Sequence, residues 1–297
     1  MTYKPEFLFF RRDTTDIEDK IENSIQLNEA KKRGSICVPF NITALDGLIC
    51  IGSIPNPFDL ERQFDSLPLW PDMDQVKIAR RYFESPIFQN HAGRNMILCD
   101  FNTAQMAQSI MKLEGDQAFL KFTLPKAIPN HIIKNTNKEE IERTLMEKYG
   151  YHLAYYEDQK NGALVQEYVP MHWEYRVFVI DGIPITGAGC VECQTPLDNQ
   201  KLFNPTMEKT RNKGVIEKQE KFVDLYREFA TAITKQFKEK EGLLNYTLDL
   251  YLDNKQQPHI IELNPVYNAG FYACNYPVLL DKIVEYSHQK QINPTLS

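Results

Sequence analysis

The stretch that decides the reading is YTLDLYLDNKQQPHIIELNP, residues 246–265. Leu248, Leu250 and Leu252 alternate with Thr247, Asp249 and Tyr251. Neighbouring strand residues point to opposite faces, so Asp249 looks away from the leucines. Polar residues and Pro258 interrupt the pattern, and His259–Asn264 reads as a second strand. There Glu262 and Asn264 share a face, two residues apart. A connecting loop of 253–258 sets Leu252 opposite His259, which puts Asp249 directly opposite Glu262. A one-residue change in loop length breaks that alignment. Two carboxylates facing each other destabilise a strand pair, and a divalent cation removes the penalty. Mg²⁺ suits the position, because it prefers hard oxygen ligands and often takes one or two carboxylates plus phosphate oxygens. The plain alternative is a solvated acidic face, where strand carboxylates mostly sit. The apolar residues Ile260, Ile261 and Leu263 around Glu262, and the Asn264-Pro265 that follows, favour a site.

Outward from this hairpin, residues 219–240 read as a helix with Phe222, Leu225, Tyr226, Phe229, Ile233 and Phe237 on one face. The polar stretch 192–214 before it reads as a long loop, of a kind that often serves as a lid. Residues 175–180 form a strand closed by Asp181-Gly182, a strong two-residue hairpin turn, and the chain returns along 183–191. Residues 163–169 and 118–123 are further strands, the latter carrying Lys121. Between them Asn137 caps a helix in a capping-box-like arrangement with Glu140. Ile141, Leu145 and Tyr149 recur at spacing four, and Gly150 is expected to end the helix. The first hundred residues read as mixed α/β: strands at 6–10, 35–40 and 47–51, a charged helix at 16–32, then breaks at Pro55, Pro57, Pro68 and Pro71. A helix near 277–287 closes the chain.

Phosphates need cations; Lys offers a flexible point charge and Arg a planar fork. Lys121 ends the apolar run of AFLKFTLPK, and Lys126 follows five residues on. The plain reading of either is a surface lysine whose stem lies over apolar neighbours. Gln166, Glu167 and Tyr168 end a strand that Pro170 closes. A backbone leaving a strand exposes N–H and C=O groups that an adenine edge can satisfy. Glu174 and Arg176 share a face of the next strand. An arginine there can balance transferring phosphoryl charge; the alternative is an ordinary cross-strand Glu–Arg pair, weak if exposed. His91, Arg94 and Asn95 in QNHAGRN read as a polar loop, with substrate-anion binding as the alternative.

The whole chain narrows the classes. Its 297 residues suffice for about two domains. Apolar residues at 42% and charged residues at 25% are those of an ordinary globular protein. A formal net charge of -6 speaks against a general nucleic-acid binder. Six cysteines scattered over so long a chain fit a reducing, cytoplasmic compartment better than a disulfide framework. Cys190 and Cys193 form one CxxC without the second pair a zinc site would want. The start, MTYKPEFLFFRRD, lacks the pattern of a signal peptide. No stretch approaches the roughly 18 apolar residues of a membrane helix, so no membrane partner is expected.

Taken in order, the strand lysine, the apolar strand ending in QEYV, the E-x-R-V-F-V strand with its DG turn, the D-x-Y strand and I-E-L-N-P resemble the ATP-grasp superfamily, over about residues 96–297. ELNPVYNAGFY, residues 262–272, is similar to small stand-alone ATP-grasp proteins of bacteria and phages. The resemblance implies an α/β (α+β) fold of two α+β subdomains clamping ATP. An N-terminal α/β domain would occupy 1–95 and the ATP-grasp domain 96–297. It also implies roles. Lys121 and Lys126 would contact ATP phosphates. Gln166, Glu167, Tyr168 and Val169 would form the adenine hinge. Glu174 would reach the ribose or position a phosphate, and Arg176 would bind phosphate, with Lys121 and Arg176 carrying the catalysis. Asp249, Glu262 and Asn264 would hold Mg²⁺, and Arg211 and Asn268 would meet the substrate. The implied reaction joins a small-molecule or peptide carboxylate to an amine through an acyl-phosphate. The alternatives are a kinase that stops after phosphoryl transfer, and an ATP-binding assembly factor without ligase turnover.

Overall fold

The computed structural model describes residues 6–11, 14–39, 42–54, 57–123, 128–156 and 159–292. In chain order the elements are β1 (Phe7–Phe10), α1 (Ile17–Lys32), β2 (Ile49–Gly52), α2 (Pro57–Gln63), α3 (Met73–Arg80), α4 (Pro86–His91), β3 (Met96–Cys99), α5 (Thr103–Met111), β4 (Gln117–Phe122), β5 (His131–Lys134), α6 (Lys138–Tyr156), β6 (Ala163–Glu167), β7 (His172–Ile180), β8 (Ile183–Gly189), β9 (Thr206–Glu208), β10 (Ile216–Lys218), α7 (Glu220–Glu241), β11 (Tyr246–Leu252), β12 (Pro258–Asn264) and α8 (Tyr276–Ile292). Packing groups them into two compact units. One joins residues 1–82 to 171–297, and the other is 83–170.

The first unit is built on an antiparallel sheet in the order β12-β11-β7-β8. Asp181 and Gly182, with φ of 53° and 71°, make the left-handed turn that joins β7 to β8. The two faces of β7 have different tasks. Tyr175 and Val177 pair with Leu250 and Leu248, and this face lies under α7. Tyr175 stacks on Tyr226 of α7 with ring centroids 5.2 Å apart. Phe222, Tyr226, Ile233 and Phe237 of the expected α7 stripe are all buried. On the other face, Phe178 and Ile180 share a core with Phe7, Phe9, Ile49 and Ile51 from β1 and β2, and with Leu279, Leu280 and Ile283 from α8. Each such buried side chain contributes about 1.5–3 kcal/mol, so β1, β2 and α8, far apart in sequence, are tied into one core. Further along that face of β7, Arg176 and Glu174 replace the apolar residues.

Two local expectations are corrected. Of the stretch expected as a strand at 35–40, the described residues 35–39 form none: only Cys37 bridges to β1, accepting from Phe9 N–H at 3.2 Å and donating to Phe7 C=O at 3.0 Å, and residue 40 lies outside the described residues. Pro39 has no N–H to carry the ladder on, and Val38 is exposed. The stretch 192–214 is not loop throughout. It holds a 3-10 turn at Pro196–Asp198 and the strand β9, which pairs with β10.

The second unit is an antiparallel sheet, β3-β6-β4-β5, packed with α5 and α6. Along β4, Ala118, Leu120 and Phe122 are buried, while Gln117, Phe119 and Lys121 occupy the half-buried face. Asn137 caps α6, its Oδ1 accepting from Glu140 N–H at 3.0 Å. Gly150 does not end this helix, which runs on to Tyr156. One more turn brings Leu153 into the stripe of Ile141, Leu145 and Tyr149, and burial of that face outweighs the glycine.

Among the described residues, no helix is long and apolar enough to cross a membrane.

Candidate functional site

The hairpin β11–β12 brings Asp249 opposite Glu262, by a different route from the sequence argument. The connecting loop is one residue shorter than expected: Leu252 lies opposite Pro258, Tyr251 opposite His259 and Leu250 opposite Ile260. Continued regularly, that register would set Asp249 against Ile261. Instead the register shifts between Leu250 and Asp249, and Ile261 is the extra residue of a bulge. A bulge re-aims the side chains beyond it. Here it returns Glu262 to the face of Asp249.

On its other side Asp249 pairs with Arg176 of β7, so Arg176, Asp249 and Glu262 stand in a row across three strands. Arg176 Nε donates to Asp249 Oδ1 and Nη2 to Oδ2, each at 2.7 Å. Both side chains are more than nine-tenths buried. Burial works to lower the arginine pKa, but the adjacent carboxylate outweighs it and raises the pKa well above the usual value. Arg176 Nη1 donates to Gly270 C=O at 3.0 Å, and the guanidinium lies 5.1 Å from the Tyr272 ring centroid. Asn264 Nδ2 sits 2.9 Å from Glu262 Oε1 and 3.4 Å from Asp249 Oδ2. Both carboxylates therefore converge on one amide, and turning it end for end would present a third oxygen.

Among the described residues, no three His, Cys, Asp or Glu side chains gather as a metal site. The set here is two carboxylates and an amide. Its hard oxygen donors and their convergence fit Mg²⁺, which takes part of its coordination from carboxylates and part from phosphate or water.

Glu174 is mostly buried, and burial raises its pKa against the pull of Arg211. Arg211, half-exposed, reaches Glu174 at 3.7 Å, Glu192 at 3.0 Å and Tyr272 Oη at 3.4 Å. The alternative of a pairing between Glu174 and Arg176 themselves is not what forms: Glu174 pairs with Arg211, and Arg176 with Asp249. Asn268 is exposed in the short turn Val266–Asn268, and its N–H donates to Pro265 C=O. Cys190 and Cys193 are free thiols, the first buried and the second exposed.

In the second unit, Lys121 lies on the half-buried face of β4. Lys126 falls outside the described residues. Gln166 is buried and its Oε1 accepts from Arg94 Nε at 2.6 Å. Glu167 accepts from Asn95 N–H at 2.8 Å and from Asn95 Nδ2 at 2.7 Å. Tyr168 is exposed and Val169 half-buried. Arg94 and Asn95, read from sequence as a loop, hold the side chains of Gln166 and Glu167. Their polarity was visible, but their partners lie 72 residues away. Gly270 and Tyr272 were also missed as guanidinium partners; nothing in a linear pattern signals such a contact.

A family model described as an ATP-grasp domain, the second family of its clade, matches residues 91–281. The chain belongs to this ATP-grasp family. Solved ATP-grasp structures share its fold at low identity. The RimK domain protein ATP-grasp from Sphaerobacter thermophilus is 11% identical, with a TM-score of 0.58, covering 95% of this chain and 99% of its own. D-alanyl-alanine synthetase A from Vibrio cholerae is 10% identical, with a TM-score of 0.55 and coverage of 97% and 100%. D-alanine–D-alanine ligase from Bacillus anthracis, solved with ATP, is 11% identical, with a TM-score of 0.51 and coverage of 97% and 98%. No curated protein matches the sequence. These likenesses show the ATP-grasp fold. The family match includes β3 to β12 and so contains Arg176, Asp249, Glu262 and Asn264, but not α1.

Proposed function

We propose that this ATP-grasp protein is an Mg-ATP-dependent ligase that joins a carboxylate to an amine through an acyl-phosphate. The observation that carries the reading is the row Arg176–Asp249–Glu262, with Asn264 drawn onto both carboxylates. It sets fixed charges of both signs side by side on a sheet face where Arg176 and Asp249 are buried and Glu262 half-buried, which is what a transferring phosphoryl group requires.

Asp249, Glu262 and Asn264 would hold Mg²⁺, which neutralises phosphate charge when bound. A guanidinium has five N–H donors. Arg176 commits three of them to Asp249 and Gly270, and the other two would meet a phosphate. Lys121, with Lys126, would add positive charge to the phosphates. Gln166–Val169 would present the adenine hinge, with Arg94 and Asn95 fixing the side chains of Gln166 and Glu167. Glu174 would position ribose or phosphate. The substrate carboxylate attacks the γ-phosphorus, ADP leaves, and an amine then displaces phosphate from the acyl carbon. Water must be kept from the acyl-phosphate. Arg211 is anchored on Glu174 and Glu192, in the segment expected to act as a lid, and would serve the acceptor together with Asn268.

Calorimetry of ATP binding with and without Mg²⁺ tests the site, using wild type and Glu262→Gln. Mg²⁺-dependent binding that the variant loses supports it. No binding by folded wild type overturns it. ADP release that requires both an added carboxylate and an added amine distinguishes a ligase from an ATP binder or a kinase.

A further inference from the structure

Glu22 of α1 is a half-buried carboxylate of the first unit, outside the stretch that the family model matches. Its Oε1 accepts from Phe271 N–H at 2.8 Å. Tyr272 has φ of 45°, the left-handed region that a bulky aromatic residue rarely adopts. Such a conformation persists only where the surroundings fix it. The turn fixed in this way carries both remaining partners of Arg176, Gly270 C=O and the Tyr272 ring.

We propose that Glu22 is a positioning residue of the nucleotide site: its carboxylate locks the Gly270–Tyr272 turn and, through that turn, sets the orientation of Arg176. The proposal rests on the reading of Arg176 as the phosphate-facing arginine. The path is short: α1 carboxylate, Phe271 amide, Gly270 carbonyl and Tyr272 ring, guanidinium. Asp249 holds one edge of that guanidinium in the sheet, and the turn holds one Nη1 donor and packs the Tyr272 ring against it. The charged groups facing Glu22 are Asp19 on its own helix and Arg176 on β7, with the Cys274 thiol ahead of α8. Burial raises its pKa to about 7, which agrees with a carboxylate kept in an apolar setting by a specific partner.

The test uses the full chain with Glu22→Ala and Glu22→Gln; the glutamine keeps an oxygen acceptor of the same reach. Hydrogen exchange at the Phe271 amide and the NMR signal of Arg176 Nε–H are read without nucleotide. Mg-ATP affinity is then measured by calorimetry. The expected result is faster exchange at that amide, a displaced Arg176 Nε–H signal and about tenfold weaker Mg-ATP binding in Glu22→Ala, with all three restored in Glu22→Gln. Unchanged exchange or an unmoved Arg176 signal in Glu22→Ala overturns the proposal. So does an Mg-ATP affinity that stays at the wild-type value. A wild type that binds no Mg-ATP sinks the assignment of the nucleotide site, and Glu22 with it as a residue of that site. The exchange and Arg176 signals then still report whether Glu22 holds the turn, so the two failures are told apart.

Discussion

Arg176 and Asp249 meet edge to edge in a two-pronged ion pair, Nε to Oδ1 and Nη2 to Oδ2, both at 2.7 Å, with both side chains buried. The carboxylate that would serve a metal is therefore already paired with a full positive charge from the protein. A buried pair of this kind adds little net stability against an apolar replacement, but removing one partner strands a charge. Asp249→Ala is expected to lower unfolding stability by about 3–5 kcal/mol, and the double variant Arg176→Met/Asp249→Leu to recover most of it. Denaturant titration of wild type and both variants checks this. A single variant as stable as wild type would contradict the burial of the pair.

Lys121 lies on the half-buried face of β4, opposite the core face of Ala118, Leu120 and Phe122. Lys121→Met keeps the stem and removes the charge. It is expected to weaken ATP binding about tenfold while changing stability by no more than about 0.5 kcal/mol. Calorimetry and thermal melting read the two effects separately. Unaltered ATP affinity would return Lys121 to the status of a surface lysine.

Gly150 lies inside α6, and a Cβ built there meets only the Met146 Cε at 3.9 Å. Gly150→Ala is expected to stabilise the protein by about 0.5–1 kcal/mol, since the glycine lowers helix propensity without filling a need for positive φ. A rise in melting temperature is the check. A fall would mean that the helix does break there.

The folded pKa of Glu22, about 7, lies above its ordinary value of 4.5, with burial as the main cause. Between those values the folded state binds more protons than the unfolded state. Stability from this group is therefore present at low pH and falls as pH rises from about 4.5 through about 7, by at most about 3–4 kcal/mol. Glu22→Gln removes that dependence. Melting curves from pH 5 to pH 8 are expected to show the variant gaining on wild type as pH rises. A constant difference would show that Glu22 does not titrate in this window.

Much of the molecule was legible in the chain itself. The alternation in TLDLYL placed Asp249 opposite in face to the leucines, the Asp181-Gly182 pair announced the β7–β8 turn, and Phe222 to Phe237 drew the buried stripe of α7. These are local signals: side-chain period, turn chemistry and helix periodicity are set by residues within a turn or two of each other. The order of the same motifs carried the ATP-grasp resemblance, which the family match over residues 91–281 bears out. What the sequence could not decide were matters of distance. The hairpin register came from a shorter loop and a bulge at Ile261 that offset each other, because strand pairing and burial are settled across strands. Gly150 did not stop α6, because the gain from burying Leu153 outweighs a local propensity. Arg176 chose Asp249 rather than Glu174, and Glu22 reached the Phe271 amide from 249 residues away. The tertiary structure alone decided those contacts, because a buried charge takes whichever partner the fold brings within hydrogen-bonding reach.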